Sequence, residues 1–176
     1  MWHGEGVEQP LTVVSPQLRP PRHRVSTRAI RYWAARALAG WLVLTAAQVV
    51  LAVTVGEGLR GWQVGALAAT VVVAAAHLAV MPRWRYRVHR WEATDTAVYT
   101  QAGWFSQQRR IAPISRIQTV DTERGPLEQV FGLSNVTVTT ASAAGPLRIH
   151  GLQRARAQTL VDDLVRAAEL TRGDAT

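Results

Sequence analysis

The chain has 176 residues, a formal net charge of +8 and no cysteine, and 48% of its residues are hydrophobic. This length allows one soluble domain of ordinary size beside any membrane segments, and it is too short for two. The lack of cysteine excludes disulfides, thiol catalysis, iron–sulfur clusters and cysteine-based zinc sites.

The first 36 residues carry no long apolar run. Residues 1–26 hold four prolines and few large apolar side chains, which predicts a flexible cytoplasmic tail. In residues 27–36, arginines are mixed with Tyr32 and Trp33. Aromatic rings favour the headgroup layer and arginines favour its phosphates, so this stretch predicts an interfacial anchor.

Two apolar segments follow, at residues 37–55 and 62–81, and neither contains a charged residue. About 20 helical residues reach about 30 Å, the thickness of a bilayer core, so each segment is long enough to span. The short connection between them makes the pair a transmembrane hairpin. The alternative is two buried helices of a soluble domain, which would normally show a polar face.

Arginines flank both segments and predict the orientation of the hairpin. The flanking arginines are Arg19, Arg22, Arg24, Arg28, Arg31, Arg36, Arg83, Arg85, Arg87 and Arg90. The connecting turn carries only Arg60, balanced by Glu57. Because arginine-rich ends stay on the cytoplasmic side, we expect a plasma-membrane protein with two spans and both termini cytoplasmic. Topology and contact with anionic headgroups then explain the positive charge without nucleic acid binding.

Polar side chains inside the spans allow two interpretations. Gln48 and His77 are candidate transport or proton-relay groups, as intramembrane polar residues often are. The alternative is that His77, near an interface, simply reaches water and that Gln48 forms a hydrogen bond across a helix pair. Small residues in the second span permit close packing against a partner: Ala66, Ala69, Ala74, Ala75 and Ala76.

After the hairpin the periodicity changes to two. Residues 83–89 alternate apolar and basic side chains, with Trp84, Tyr86 and Val88 on one face, which predicts a half-buried strand. A turn is predicted at residues 92–96. Five further strands are predicted at residues 97–102, 107–112, 114–122, 135–140 and 147–150.

Two helices complete the predicted domain. A short helix is expected between Pro126 and Gly132, with Leu127, Val130 and Phe131 on one face. Residues 154–170 form an amphipathic helix with Leu160 and Leu164 on its apolar face. A sheet closed at one end by the C-terminal helix is the implied shape.

Several motifs in this order resemble one family. They are the Trp84-x-Tyr86 pair after the hairpin, the segments 111–121 and 136–142, and the short motifs Gly125-Pro126-Leu127-Glu128 and Phe131-Gly132-Leu133. Together they resemble the bacterial pleckstrin-homology (bPH2, DUF304) membrane proteins of the YdbS-like family, over roughly residues 33–170. The motif residues expected to be structural are Trp84, Tyr86, Pro113, Arg116, Ile117, Gln118, Gly125, Leu127, Phe131, Gly132, Thr140 and Ser142.

The resemblance implies an α+β membrane protein: a two-helix transmembrane hairpin, then a pleckstrin-homology-like (PH-like) bent antiparallel β-sheet or barrel capped by a C-terminal α-helix. The chain then divides into a tail (1–26), an anchor and hairpin (27–82), a PH-like domain (83–172) and a tail (173–176).

The resemblance also implies a binding or scaffold module without catalytic activity or cofactor. Such proteins are often encoded beside a larger membrane protein with several copies of the domain, and some are linked with resistance to antimicrobial compounds. Eukaryotic relatives bind phosphoinositides through a basic loop, but residues 91–96 at that place hold two acids and no base.

The residues themselves show no catalytic pattern. The five histidines lack metal-type spacing, there is no glycine-rich phosphate loop, and the hydroxyls at 137–142 have no adjacent base. Arg116 is expected to brace the neighbouring strand or helix through hydrogen bonds.

Three functions remain open. The favoured one is binding of another membrane protein, or of a second copy, through strand 136–140 or the face of Arg148 and His150. The second is recognition of anionic lipid headgroups by Arg83, Arg85, Arg87, Arg109 and Arg110. The third is a small transporter or pore subunit using Gln48 and His77.

Overall fold

The structure consists of two long helices packed side by side and a small β domain at one end of the pair. The computed structural model describes residues 20–54, 60–103, 106–142 and 145–173. Helix α1 covers Arg28–Thr54 and α2 covers Arg60–Val88. Their 27 and 29 residues reach about 40 Å, so each exceeds a bilayer core by roughly two turns. The excess lies at the domain end of the hairpin, and we refer to residues 37–54 and 62–81 as the spans.

The two helices pack against each other along a seam that holds the polar side chains of the spans. Trp41 Nε1 donates to His77 Nδ1 at 2.9 Å, and Gln48 Nε2 donates to Thr70 Oγ1 at 2.8 Å. Hydrogen bonding across the pair, the alternative interpretation of Gln48, is therefore confirmed. His77, whose alternative was contact with water, also accepts a hydrogen bond across the pair. The pairs also fix the register of the hairpin.

The rest of each span is apolar and exposed. Leucines and valines such as Leu42, Val53 and Val72 point away from the protein, and almost none of the apolar stretch of either helix is buried. A soluble core helix would bury these side chains. Both helices are long and apolar enough to cross a membrane.

The β domain contains two antiparallel sheets. The first has the order β1-β2-β3-β4, with β1 His23–Arg24, β2 Arg90–Ala93, β3 Ala97–Ala102 and β4 Gln108–Pro113. The second has the order β5-β6-β7, with β5 Ile117–Glu123, β6 Leu133–Thr140 and β7 Leu147–Gln153. A 3₁₀ turn at Ile114–Arg116 links the sheets, and β3 and β4 pack against β7.

Two helices complete the domain. The short α3, Pro126–Val130, joins β5 to β6, with Pro126 in its first turn and Gly132 at φ +66° after its end. The C-terminal α4, Arg154–Gly173, covers one end of the sheets and buries Leu160 and Leu164. The observed fold therefore confirms the predicted hairpin, PH-like sheets and C-terminal helix.

Residues 83–88 are helical, so the strand predicted over residues 83–89 is wrong. Helix α2 continues through Pro82 as far as Val88, and the first strand after the hairpin is β2. The alternation misled because Trp84 and Val88 are also four residues apart, a spacing that suits a helix. Because the helix continues beyond the second span, the backbone groups of residues 83–88 can form helical hydrogen bonds.

The first turns of α1 belong to the domain core. Tyr32 and Trp33 are buried, with Trp33 only 3% exposed, and Ala29 is fully buried beside them. The interpretation of Tyr32 and Trp33 as an interfacial anchor is therefore wrong. Helix α1 begins inside the domain, because these rings fill space against β7 and α3.

The end of the predicted tail is folded as well. Residues 1–19 lie outside the described part, but β1 pairs with β2 and Val25 is buried in the core. Arg22 forms an ion pair with the buried Glu92, with 3.5 Å between Nε and Oε1. Glu92 therefore belongs to a strand, and only residues 94–96 of the predicted turn connect β2 to β3.

The remaining boundaries shift by a few residues. The predicted strand 114–122 begins with the 3₁₀ turn and is extended only from Ile117. Strands β6 and β7 each extend beyond the predicted residues, and α4 reaches Gly173. Val130 is 79% exposed, so the apolar face predicted for α3 is only partly packed.

Candidate functional site

An open cleft lies between the two sheets, where β4 and β7 come together without pairing. Each of these strands ends its sheet among the described residues, so each offers one unpaired edge. The guanidinium of Arg110 bridges the gap, because its Nη1 donates to the carbonyl oxygen of Pro146 at 2.9 Å. We call this space of about 410 Å³ the inter-sheet cleft, lined by Thr100, Ala102, Gln108, Arg110, Gly145, Pro146, Arg148 and His150.

The inter-sheet cleft is cationic. Arg110 and Arg148 are exposed, and no carboxylate occurs among the described residues that line the cleft. Burial, together with the charges of Arg85 and Arg148, lowers the pKa of His150, so this ring is neutral at pH 7. The site thus combines two positive groups with a neutral imidazole.

A second cleft of about 320 Å³ adjoins the first beyond Arg110. It brings together Arg109 from β4, Arg116 from the 3₁₀ turn, Thr140 from the end of β6 and Ser142 just beyond it. The Arg116 side chain is exposed at this surface, and its backbone carbonyl accepts from the amide of Ala141 at 3.3 Å. That the Arg116 side chain braces the strand or the short helix stays a prediction.

The family model of the bacterial PH domain matches residues 35–168. The chain belongs to this family. The match includes both spans and all strands except β1, so it covers the hairpin and the domain together.

One curated relative is the UPF0699 transmembrane protein YdbS of Bacillus subtilis (strain 168). The two chains are 34% identical over 95 residues, which is 54% of this chain and 58% of YdbS. The matched part therefore spans less than two thirds of the relative. No solved structure matches the chain.

The arginines at the end of α2 do not form one face of the bacterial PH domain. Arg83 and Arg87 are exposed, and Arg83 Nη1 donates to the carbonyl of Ala79 at 2.7 Å. Arg85 turns inward and lies over the ring of Trp33, 4.7 Å from its centre. Helical geometry causes this split, because side chains two residues apart point to nearly opposite sides.

The five arginines predicted to contact lipid are therefore divided among three places. Arg83 and Arg87 are exposed at the domain end of α2, Arg85 lies over Trp33 in the core, and Arg109 and Arg110 lie on β4. Only the first pair is exposed directly beside a span.

Arg85 lines a third cavity, which sequence reasoning missed. This space of about 250 Å³ lies between the hairpin and the second sheet, and we call it the junction pocket. Its lining is Tyr32, Trp33, Arg36, Arg85, Glu128, Leu133, Asn135, His150 and Gly151. These residues are far apart in the chain, so no local motif could reveal the pocket.

Hydrogen bonds hold Glu128 in place in the junction pocket. Tyr32 Oη donates to its Oε1 at 2.7 Å, and Asn135 Nδ2 donates to the same oxygen at 3.4 Å. Burial alone would raise the pKa of Glu128, but these hydrogen bonds and the charge of Arg36 lower it overall. The carboxylate is therefore ionised and engaged within the domain.

His89 marks the end of α2 and is structural. Its ring contacts Trp33 with centres 5.1 Å apart, and its Nδ1 lies 2.8 Å from the carbonyl oxygen of Arg85. Burial lowers the pKa of His89 to about 4, so the ring is neutral at pH 7. Its uncharged state suits the buried position.

The motif residues serve different purposes. Ile117 is buried, Gly125 precedes α3, and Phe131 packs edge-on against Tyr32 with ring centres 6.2 Å apart. Tyr86 packs against the core beneath Arg24. The exposed motif residues are Trp84, Pro113, Arg116, Gln118, Leu127 and Ser142.

Proposed function

We propose that this chain is a non-catalytic, membrane-anchored interaction module, and that its inter-sheet cleft binds an extended acidic segment of another membrane protein. The observation that supports this proposal is the meeting, across a cationic cleft, of two strand edges that pair with no other described strand.

The edges favour a peptide as ligand. An edge strand exposes a row of backbone donors and acceptors, and an extended peptide can pair with them as an added strand. Strand β4 is suited to this because four of its first five residues, Gln108 to Ile111, are exposed. A lipid headgroup has no backbone that could pair in this way.

The charges favour an acidic segment. Arg110 and Arg148 approach the cleft from the two different sheets, so a carboxylate between them would contact both guanidinium groups. Arginine binds carboxylates with two parallel hydrogen bonds, which would also fix the register of the added segment.

The hairpin favours a partner in the same membrane. Two proteins anchored in one bilayer meet at a high effective concentration, so a modest cleft is sufficient for stable association. A larger membrane protein with several PH domains, as the family resemblance implies, or a second copy of this chain would meet this condition.

Site-directed photocrosslinking in membranes tests the cleft. A photoreactive amino acid in place of Gln108 should crosslink a distinct membrane protein, whereas the same replacement of Gln158, which is exposed on α4, should not. Adding Arg148→Glu should reduce the Gln108 crosslink by about ten-fold or more, because it reverses a contacting charge.

Equal crosslinking from Gln108 and Gln158 would contradict the proposal, since it would indicate random encounters. A crosslink that survives Arg148→Glu would contradict the assignment of the cleft. Thermal unfolding of each variant is the control for folding, and we expect no change because the three side chains are exposed.

A second candidate, binding of anionic lipid, is favoured by the exposure of Arg83 and Arg87 beside the second span. Each basic side chain near an anionic membrane contributes about 1 kcal/mol. This attraction is generic and falls with salt, so it would orient the domain without selecting a headgroup.

We also propose that both termini are cytoplasmic, and the absence of cysteine makes this testable. A single cysteine replacing Glu57, in the connecting turn, should react with a membrane-impermeant maleimide on intact cells. A single cysteine replacing Thr176 should react only after permeabilisation. The reverse labelling pattern would show that the arginine clusters do not set the topology.

A further inference from the structure

The junction pocket lies at the level where the first span begins. Arg36 directly precedes residue 37, the first residue of that span, and Arg85 follows the last residue of the second span by four positions. Phospholipid phosphates occupy the layer just outside the hydrocarbon core. The two guanidinium groups of the pocket therefore lie near the depth of the headgroup phosphates.

The two guanidinium groups line the same pocket, where Arg85 is half-buried and Arg36 is exposed. Burial, reinforced by the positive charge of Arg36, lowers the pKa of Arg85. Among the described residues no carboxylate forms an ion pair with Arg36 or Arg85, although the pocket also contains the carboxylate of Glu128, which interacts with the charge of Arg36. Like charges in such a position repel, and an anion between them would relieve the repulsion.

The remaining polar groups leave both arginines available to a ligand. Glu128 is engaged by Tyr32 and Asn135, and Arg36 Nη1 makes only a long hydrogen bond of 3.4 Å to Tyr32 Oη. The guanidinium carbon of Arg85 lies 4.7 Å from the centre of the Trp33 ring, and a guanidinium carries five N–H donors. Its planar fork matches the oxygens of a phosphate.

We propose that the junction pocket binds the phosphate of a phospholipid headgroup from the cytoplasmic leaflet, through Arg36 and Arg85. The volume of about 250 Å³ holds a headgroup phosphate, with the acyl chains lying along the hairpin. The bound lipid joins the spans to the second sheet, because Arg36 belongs to α1, Arg85 to α2 and the facing wall to β6 and β7.

The junction pocket differs from Arg83 and Arg87, which attract anionic lipids without selecting a headgroup. Those side chains are exposed, whereas Arg85 is half-buried and stacked. Binding in the junction pocket is therefore expected to select a phosphate and to persist at physiological salt, where exposed charges are largely screened.

Native mass spectrometry of the full chain in detergent tests the site. The protein is titrated with phosphatidylglycerol. A parallel titration uses diacylglycerol, which has the same acyl tails but no phosphate. A third experiment adds inorganic phosphate, which has no acyl tails. We expect retention of one phosphatidylglycerol per chain, little diacylglycerol, and no displacement of the lipid by millimolar inorganic phosphate.

Matched arginine variants locate the binding. Arg36→Gln and Arg85→Gln should each weaken retention by about ten-fold or more, since each removes a charged hydrogen-bond donor to the phosphate. Arg83→Gln, on the same helix as Arg85 and nearer the span, should change it by less than about two-fold. Arg36 is exposed, so its variant keeps the test valid even if Arg85→Gln folds poorly.

Three results would overturn the inference. Equal losses for Arg83→Gln and Arg36→Gln would show generic electrostatics, and equal retention of diacylglycerol would show a site for tails alone. Displacement of the lipid by inorganic phosphate would assign the pocket to a soluble phosphate. The inference rests on the membrane hairpin and not on a protein partner, so its failure would leave the Gln108 crosslink unaffected.

Discussion

Replacing Trp33 with alanine is expected to lower the free energy of unfolding of the β domain by about 3–5 kcal/mol, the usual cost of removing a buried tryptophan. Trp33 lies in α1, before the first span, but its ring is 3% exposed within the domain core. It also contacts His89 and supports Arg85. A loss of this size is comparable with the whole stability of a small domain.

Proteolysis of the full chain in nanodiscs across a urea series measures this change, because cleavage of the domain reports its unfolded fraction. Trp84→Ala is the matched control. That ring lies in α2 just beyond the second span and is 47% exposed, so we expect a loss below about 1 kcal/mol. Similar losses for the two variants would show that α1 is not part of the core.

The burial of Trp33 also changes what counts as the domain. Val25, Ala29 and Trp33 precede the hairpin, and β2 and all later strands follow it. A fragment that begins at residue 83 therefore lacks one wall of its own core. We expect studies of binding to require the full chain or a fusion that restores these residues.

The sequence was sufficient for most of the architecture, because its main signals are local. An uncharged apolar segment of about 20 residues is typical of a membrane-spanning helix, which is why the hairpin was predicted correctly. Alternation in β3 and β6 and the amphipathic pattern of α4 are also local features. The family motifs then supplied the order of the elements.

The predictions were wrong where tertiary contacts determine the burial or the secondary structure of a segment. Arginine next to an aromatic residue before a span usually signals a headgroup anchor, but in this chain the core takes up the ring of Trp33. The apolar pattern of residues 83–88 fits both the two-residue period of a strand and the 3.6-residue period of a helix. Only continuity with the second span makes these residues helical. The pairing of Tyr32 with Glu128 joins residues 96 positions apart, which no single sequence reveals.

The sites were predicted in part. The face of Arg148 and His150 was recognised from alternation, and it does line the inter-sheet cleft. Arg110 was selected for its charge, although its position between the sheets depends on the fold. Arg36 was assigned to the topology signal and to the interfacial anchor, and the junction pocket gives it a specific neighbour in Arg85.

Gly151→Ala is expected to destabilise the domain by about 2–5 kcal/mol, through two separable effects. Gly151 has φ +76°, a left-handed conformation that costs an alanine about 1–2 kcal/mol. A methyl group at this position would also lie 3.0 Å from Cβ of Ala29, at the contact between β7 and α1. Crowding of this kind adds about 1–3 kcal/mol.

Gly145→Ala separates these effects, because Gly145 has the same φ of +76° and no described atom within 4 Å of the added methyl group. It should show the backbone cost alone. The Ala29→Gly background provides the second control: with the opposing methyl removed, Gly151→Ala should cost no more than Gly145→Ala, measured by the same proteolysis in urea. If Gly151→Ala remained the more costly change in that background, the close contact between α1 and β7 would not be its cause. If the excess disappears, the first turns of α1 are fixed on β7 by direct contact, and the hairpin and the domain move as one unit.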